Sequence, residues 1–137
     1  MDRLFLDASV LFSAAYSPAS SLRQLWNLGD TELLASPFAI QEATDNLAIA
    51  RPAQLPDLRA LLATVNQVPD PPAAAVLPAG VTLPDKDRPI LLSAMESQAT
   101  HLLTGDVRHF GPYFGKNLGG VLVLRPGVYL VGRLKTP

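Results

Sequence analysis

Four carboxylates stand where a parallel sheet would gather them. Asp7 closes the apolar run Leu4-Phe5-Leu6, and Asp106 follows His101-Leu102-Leu103-Thr104 after a single glycine, Gly105. Asp87 opens a helical pattern that leads into that second run, with Asp85 as a competing choice two residues earlier. Glu42 lies one turn inside another helical pattern, after the strand-like Thr31-Glu32-Leu33-Leu34-Ala35. In α/β sheets, sites form at the carboxyl ends of the strands, which is where these acids would meet. Each has an ordinary explanation when taken alone, since Asp87 can cap a helix and Asp106 can start a turn. Together they form a set with no lysine or arginine among its members, and such a set cannot stay fully ionised without countercharge. Hard divalent cations, Mg²⁺ or Mn²⁺, are the natural solution because they prefer oxygen ligands. A pair of them would offset the four charges, bind phosphate oxygens and activate a water.

Other chemistries are weaker. The chain has no cysteine, which excludes thiolate nucleophiles, disulfides and Cys-ligated metals. His101 reads as a strand residue and His109 as a loop contact. Asp2, Asp30, Glu32, Asp57, Asp70 and Glu96 read as solvated surface charges, and Asp45 gains interest only from its nearness to Glu42. A phosphoryl-transfer enzyme of the haloacid dehalogenase type also begins with a strand and an aspartate. It needs a second acid two residues on, where this chain has Ser9.

The elements that must position the acids follow from periodicity and punctuation. Residues 3–7 form a short buried strand, followed by a helix over residues 8–16. A helix is expected over 21–28, a strand over 31–35, and a helix from Pro37 to about Ala50, with Ser36 as its cap. That last helix puts Ala39, Ala43 and Leu47 on one stripe and Glu42 and Asn46 on the next. A further helix is expected over 54–65. Residues 66–86 hold five of the 13 prolines and read as an extended connection. A helix then runs from Asp85 or Asp87 to about Ala99. Strands over 101–104 and 121–124 flank a glycine-rich, aromatic loop, and a short helix covers 126–131. The alternation implies an α/β domain with a mostly parallel sheet.

In this order the pieces resemble a PIN domain, the ribonuclease fold of the VapC-type toxins. The matching segments are Leu4-Phe5-Leu6-Asp7-Ala8-Ser9-Val10-Leu11, Ser36-Pro37-Phe38-Ala39-Ile40-Gln41-Glu42, Lys86-Asp87-Arg88-Pro89-Ile90-Leu91-Leu92-Ser93-Ala94 and Leu103-Thr104-Gly105-Asp106. The resemblance implies one PIN-like domain over residues 1–137, with a core of about 3–131 and a central five-stranded, mostly parallel sheet flanked by helices. It implies metal-dependent RNA cleavage by Asp7, Glu42, Asp87 and Asp106. Ser9, Thr104 and Asn46 match supporting polar positions, and Asp87 is preferred to Asp85 for its spacing from Ala94. Arg108-His109-Phe110-Gly111-Pro112 resembles a PIN subgroup without an assigned biological role. An antitoxin partner and a homodimer are further expectations of the resemblance. Its alternative is a catalytically silent PIN-like fold kept as a binding module.

The total charge of −1 conceals a split. Residues 1–100 carry six basic and 11 acidic side chains, whereas residues 101–137 carry five basic ones and a single acid, Asp106. An acidic centre beside a basic surface suits a polyanion. Arg88, Arg108 and Lys116 are the candidate contacts to the RNA backbone, and Tyr113 or Phe114 could stack an unpaired base, against core or dimer packing as the plainer role. With no long apolar run and no basic leader before an apolar stretch, a cytoplasmic protein without a membrane span is expected.

Overall fold

The computed structural model describes residues 1–135. Its centre is a sheet of β1 (Asp2–Leu6), β2 (Thr31–Ala35), β3 (Asn66–Gln67), β4 (His101–Leu103), β5 (Asn117–Leu118) and β6 (Val121–Leu124). The strand order is β3-β2-β1-β4-β6-β5. Every pairing is parallel except that of β5 with β6. The helices are α1 (Ala8–Tyr16), α2 (Pro37–Ala50), α3 (Leu55–Leu62), α4 (Arg88–Glu96), α5 (Val107–Phe110) and α6 (Pro126–Lys135).

The sheet has six strands rather than five. Both outermost strands, β3 and β5, are two residues long, too short to leave an apolar run that sequence can reveal. β5 joins β6 through Gly119-Gly120, both at positive φ, as a two-residue hairpin turn requires. Residues 21–27 form a 3₁₀ helix, not an α-helix, with Leu25 as its one fully buried side chain. The helix expected over 54–65 is a 3₁₀ turn at Pro52–Gln54 followed by α3. α6 runs beyond its expected end, to Lys135.

Alternation along the strands divides the core into two layers. Leu4, Leu6, Leu33 and Leu103 pack with Val10 and Leu11 of α1, Ala43 and Leu47 of α2, Leu58 of α3 and Leu130 of α6. Phe5, Leu34, Leu102 and Val123 face the other way, onto Ile90, Leu91 and Ala94 of α4 and onto Phe110 of α5. Helices therefore cover both faces of the sheet, which explains why β1 and β4 read as continuous apolar runs.

Candidate metal centre

The chain lays β2 and β3 on one side of β1, then crosses to place β4, β6 and β5 on the other. The loops leaving β1 and β4 consequently diverge to opposite faces, and a crevice opens between them at the carboxyl ends of the strands. The Asp7 amide donates to the Leu103 carbonyl at 3.1 Å, which holds the two strand ends together at the floor of that crevice. Asp7, Glu42, Asp87 and Asp106 all line one cavity there, of about 540 Å³, together with Ser9 and Asn46. Phe12 and Ala50 supply an apolar wall.

Asp7 is the most enclosed of the four acids. Its Oδ1 accepts from the Ala8 amide at 2.7 Å, capping α1. Its Oδ2 accepts from the Ser9 hydroxyl at 3.0 Å and the Thr104 hydroxyl at 2.7 Å. Those hydroxyls in turn accept from the backbone, Ser9 from the Gly105 amide and Thr104 from the Asp106 amide, each at 3.1 Å. Two small side chains thus knit the β1 and β4 loops around one carboxylate. Burial pushes the Asp7 carboxyl up, the hydrogen bonds from Thr104, Ser9 and Ala8 oppose this, and Asp106 adds a further upward push.

Asp87 is also buried, at the N-cap of α4, yet its side chain caps nothing. Asp106 does cap its helix, with Oδ1 accepting from the His109 amide at 3.1 Å. The His109 ring lies between the two acids, with Nδ1 3.0 Å from Asp106 Oδ2 and 2.9 Å from Asp87 Oδ2. A single N–H cannot point at both. The contact with Asp106 has hydrogen-bond geometry, and Asp87 Oδ2 is left buried without a hydrogen-bond partner. Burial raises the Asp87 carboxyl, His109 and Lys86 oppose the rise, and Asp106 and Asp7 reinforce it. Glu42, on α2, is raised by burial first and by Asp7 next, with Lys86 as the nearby cation that lowers it.

This arrangement fits a divalent cation. One ligand atom each from Asp87, Asp106 and His109 lies within 4.8 Å of the others. Leaving a buried acceptor unpaired costs about 1–3 kcal/mol, and more when it is charged, so Asp87 Oδ2 calls for a cation. Neighbouring ligands of an octahedral ion with bonds of about 2.1 Å are about 3.0 Å apart, which matches the two Nδ1–oxygen separations.

Two titratable residues outside the expected site, His109 and Lys86, also reach the cavity. His109 is a member of the acidic cluster rather than a simple loop contact, and Lys86 supplies a positive charge beside it. The three-residue spacing of Asp106 and His109 is the sequence signal for the first, since it puts both on one side of a helical turn. Lys86 leaves no signal beyond its adjacency to Asp87. Asp85 is exposed and does not line the cavity. Arg88, Arg108 and Lys116 are exposed and also lie outside the cavity lining. Tyr113 and Phe114 pack against the α4-side core, and the Tyr113 hydroxyl bonds the backbone of Thr82. Asp2, Glu32, Asp57 and Asp70, expected as solvated charges, each hold a hydrogen-bond partner on a distant segment.

No family model and no curated protein matches the sequence. Among solved structures, the chain is similar to one from the crystal structure of VapBC2 from Rickettsia felis bound to a DNA fragment from their promoter. The TM-score is 0.65 at 12% identity, covering 90% of this chain and 98% of that one. The likeness thus lies in the path of the backbone, and it establishes that the protein has a PIN-like α/β fold.

Proposed function

We propose that this protein is a divalent-metal-dependent endoribonuclease that hydrolyses phosphodiester bonds of RNA. Asp7, Glu42, Asp87 and Asp106 are its catalytic and metal-holding residues, Ser9, Asn46 and Thr104 support them, and Mg²⁺ or Mn²⁺ is the cofactor. The observation that carries this reading is the buried, unpartnered Asp87 Oδ2 beside Asp106 and His109, in the cavity that Asp7 and Glu42 also line. When bound, such an ion neutralises phosphate charge and makes water a competent nucleophile at neutral pH. The chain's own residues do the rest. Thr104 and Ser9 fix the orientation of Asp7, so that little of its motion must be frozen when substrate arrives. Lys86 offers an ammonium to a non-bridging phosphate oxygen at the cavity mouth. Phe12 and Ala50 limit water on one wall. Arg88, Arg108 and Lys116, exposed outside the cavity, would hold more distant phosphates.

The likeness to a VapBC2 chain supports a wider proposal, that this is the toxin of a toxin–antitoxin pair restrained by an antitoxin protein; a cytoplasmic homodimer is proposed with it from the sequence and its resemblance alone. Its nuclease domain is taken as residues 1–137. No helix among the described residues is long and apolar enough to cross a membrane.

The deciding experiment compares the parent with Asp87→Asn on single-stranded RNA in Mn²⁺. Cleavage is expected to fall by roughly 100-fold, the scale of losing one charge-stabilising group. Equal rates would show that the site is wrongly assigned. A parent that binds Mn²⁺ without cleaving any RNA would instead favour the silent binding module.

A further inference from the structure

The imidazole of His109 occupies a position that the four-carboxylate scheme does not explain. Its backbone amide is anchored on Asp106 Oδ1, and its neighbour Phe110 is wholly buried, so the ring is aimed into the cluster from a fixed turn. Nδ1 is 2.9 Å from one carboxylate oxygen and 3.0 Å from another, and one of those oxygens lacks any hydrogen bond. A ring that served only as a hydrogen-bond donor would satisfy one oxygen and leave the second buried charge exposed to the first. A cation shared by all three atoms satisfies the whole group.

Building on the metal-dependent reading above, we propose that His109 ligates the ion through Nδ1 alongside Asp87 and Asp106, and that this mixed nitrogen–oxygen set selects a first-row transition ion over Mg²⁺. Imidazole nitrogen is a softer donor than carboxylate oxygen and suits transition ions, whereas Mg²⁺ favours oxygen. Ligation uses the tautomer whose proton sits on Nε2, which leaves Nδ1 free to donate its lone pair.

The test uses the full chain, stripped with a chelator and loaded with Mn²⁺. Pulsed electron paramagnetic resonance should show ¹⁴N modulation from a directly bound nitrogen, changing to the ¹⁵N pattern when the histidines are ¹⁵N-labelled. The other histidine, His101, packs its ring against Tyr129 at 5.0 Å and does not line the cavity, so it contributes nothing to that signal. This measurement needs no variant and so does not depend on one folding. Calorimetry on His109→Gln should then show Mn²⁺ affinity reduced by roughly tenfold or more, with Mg²⁺ affinity much less affected. Bound Mn²⁺ without nitrogen modulation, or equal losses for the two ions, would overturn the assignment of His109 while leaving the metal-dependent nuclease intact. Failure of the parent to bind either ion would remove the nuclease reading and this inference with it.

Discussion

Burial raises the Asp7, Glu42 and Asp87 carboxyls together, and the sign of the consequence follows from linkage. A carboxyl whose folded pKa lies above its unfolded value stabilises the fold at low pH, and that contribution is lost as pH rises through the folded value. The metal-free site therefore weakens the fold at neutral pH, and a bound cation removes the penalty. Asp87→Asn, in chelator, is expected to raise the melting temperature at pH 7 by a few degrees and to abolish the further rise that Mn²⁺ gives the parent. Scanning calorimetry with and without metal checks both halves. At this scale the sequence was partly legible. Asp7, which directly follows an apolar run, and Asp106, which follows one after Thr104-Gly105, declare their place because a strand ends close before each. His109 carried only its three-residue spacing from Asp106, since its other contact, with Asp87, comes from 22 residues earlier on another element and leaves no mark in the sequence.

Helices α2 and α4 show two ways of starting a helix beside a site. α2 has a full cap, with Ser36 Oγ accepting from the Ala39 amide at 3.3 Å and Pro37 in the first turn. The buried stripe of Ala39, Ala43 and Leu47 then sets the rotation of the helix and turns Glu42 and Asn46 to the cavity. Ser36→Ala is expected to cost about 1 kcal/mol in denaturant unfolding. It should weaken metal binding only slightly, because the buried stripe still sets the face. α4 gives up its cap, since Asp87 stands at the cap position with its carboxylate directed to the cluster. Both helices were legible, and the limits of α2 match expectation, because Ser-Pro and Arg-Pro bracket an unbroken stripe. Residues 21–27 were misread because Leu22 and Leu25 are three apart, a spacing that α and 3₁₀ helices share.

Across the whole molecule, the far end of the sheet is fastened by a second polar group. The Tyr129 hydroxyl on α6 donates to Asp2 Oδ2 at 2.5 Å, and Arg133 reaches Tyr129, Asp2, Thr31 and the Gly29 carbonyl. This group accounts for the length of α6, which sequence periodicity ended too early. The hydrogen bond from Tyr129 is the main cause lowering the Asp2 carboxyl, while burial and that same bond push the Tyr129 phenol up to about 12. Asp2 thus contributes stability that is present above its unfolded pKa and lost as pH falls through its lower folded value. Tyr129→Phe should lower the melting temperature at pH 7 and flatten its decline below pH 4, which a melting series across pH would show. The chain carries −1 overall with four acids gathered in one cavity, so two bound divalent ions would turn its balance positive. Fluorescence anisotropy with a non-hydrolysable single-stranded RNA analogue should give clearly tighter binding in Mn²⁺ than in chelator. The shortness of β3 and β5 has its own consequence. Each side of the sheet ends in a strand of two residues, and Pro69, Pro71 and Pro72 follow β3 closely. Another chain adding itself as a further strand would find almost no backbone to pair with, so the sheet resists growing into a polymer. A partner would find far more surface on the helices and loops than along either strand edge.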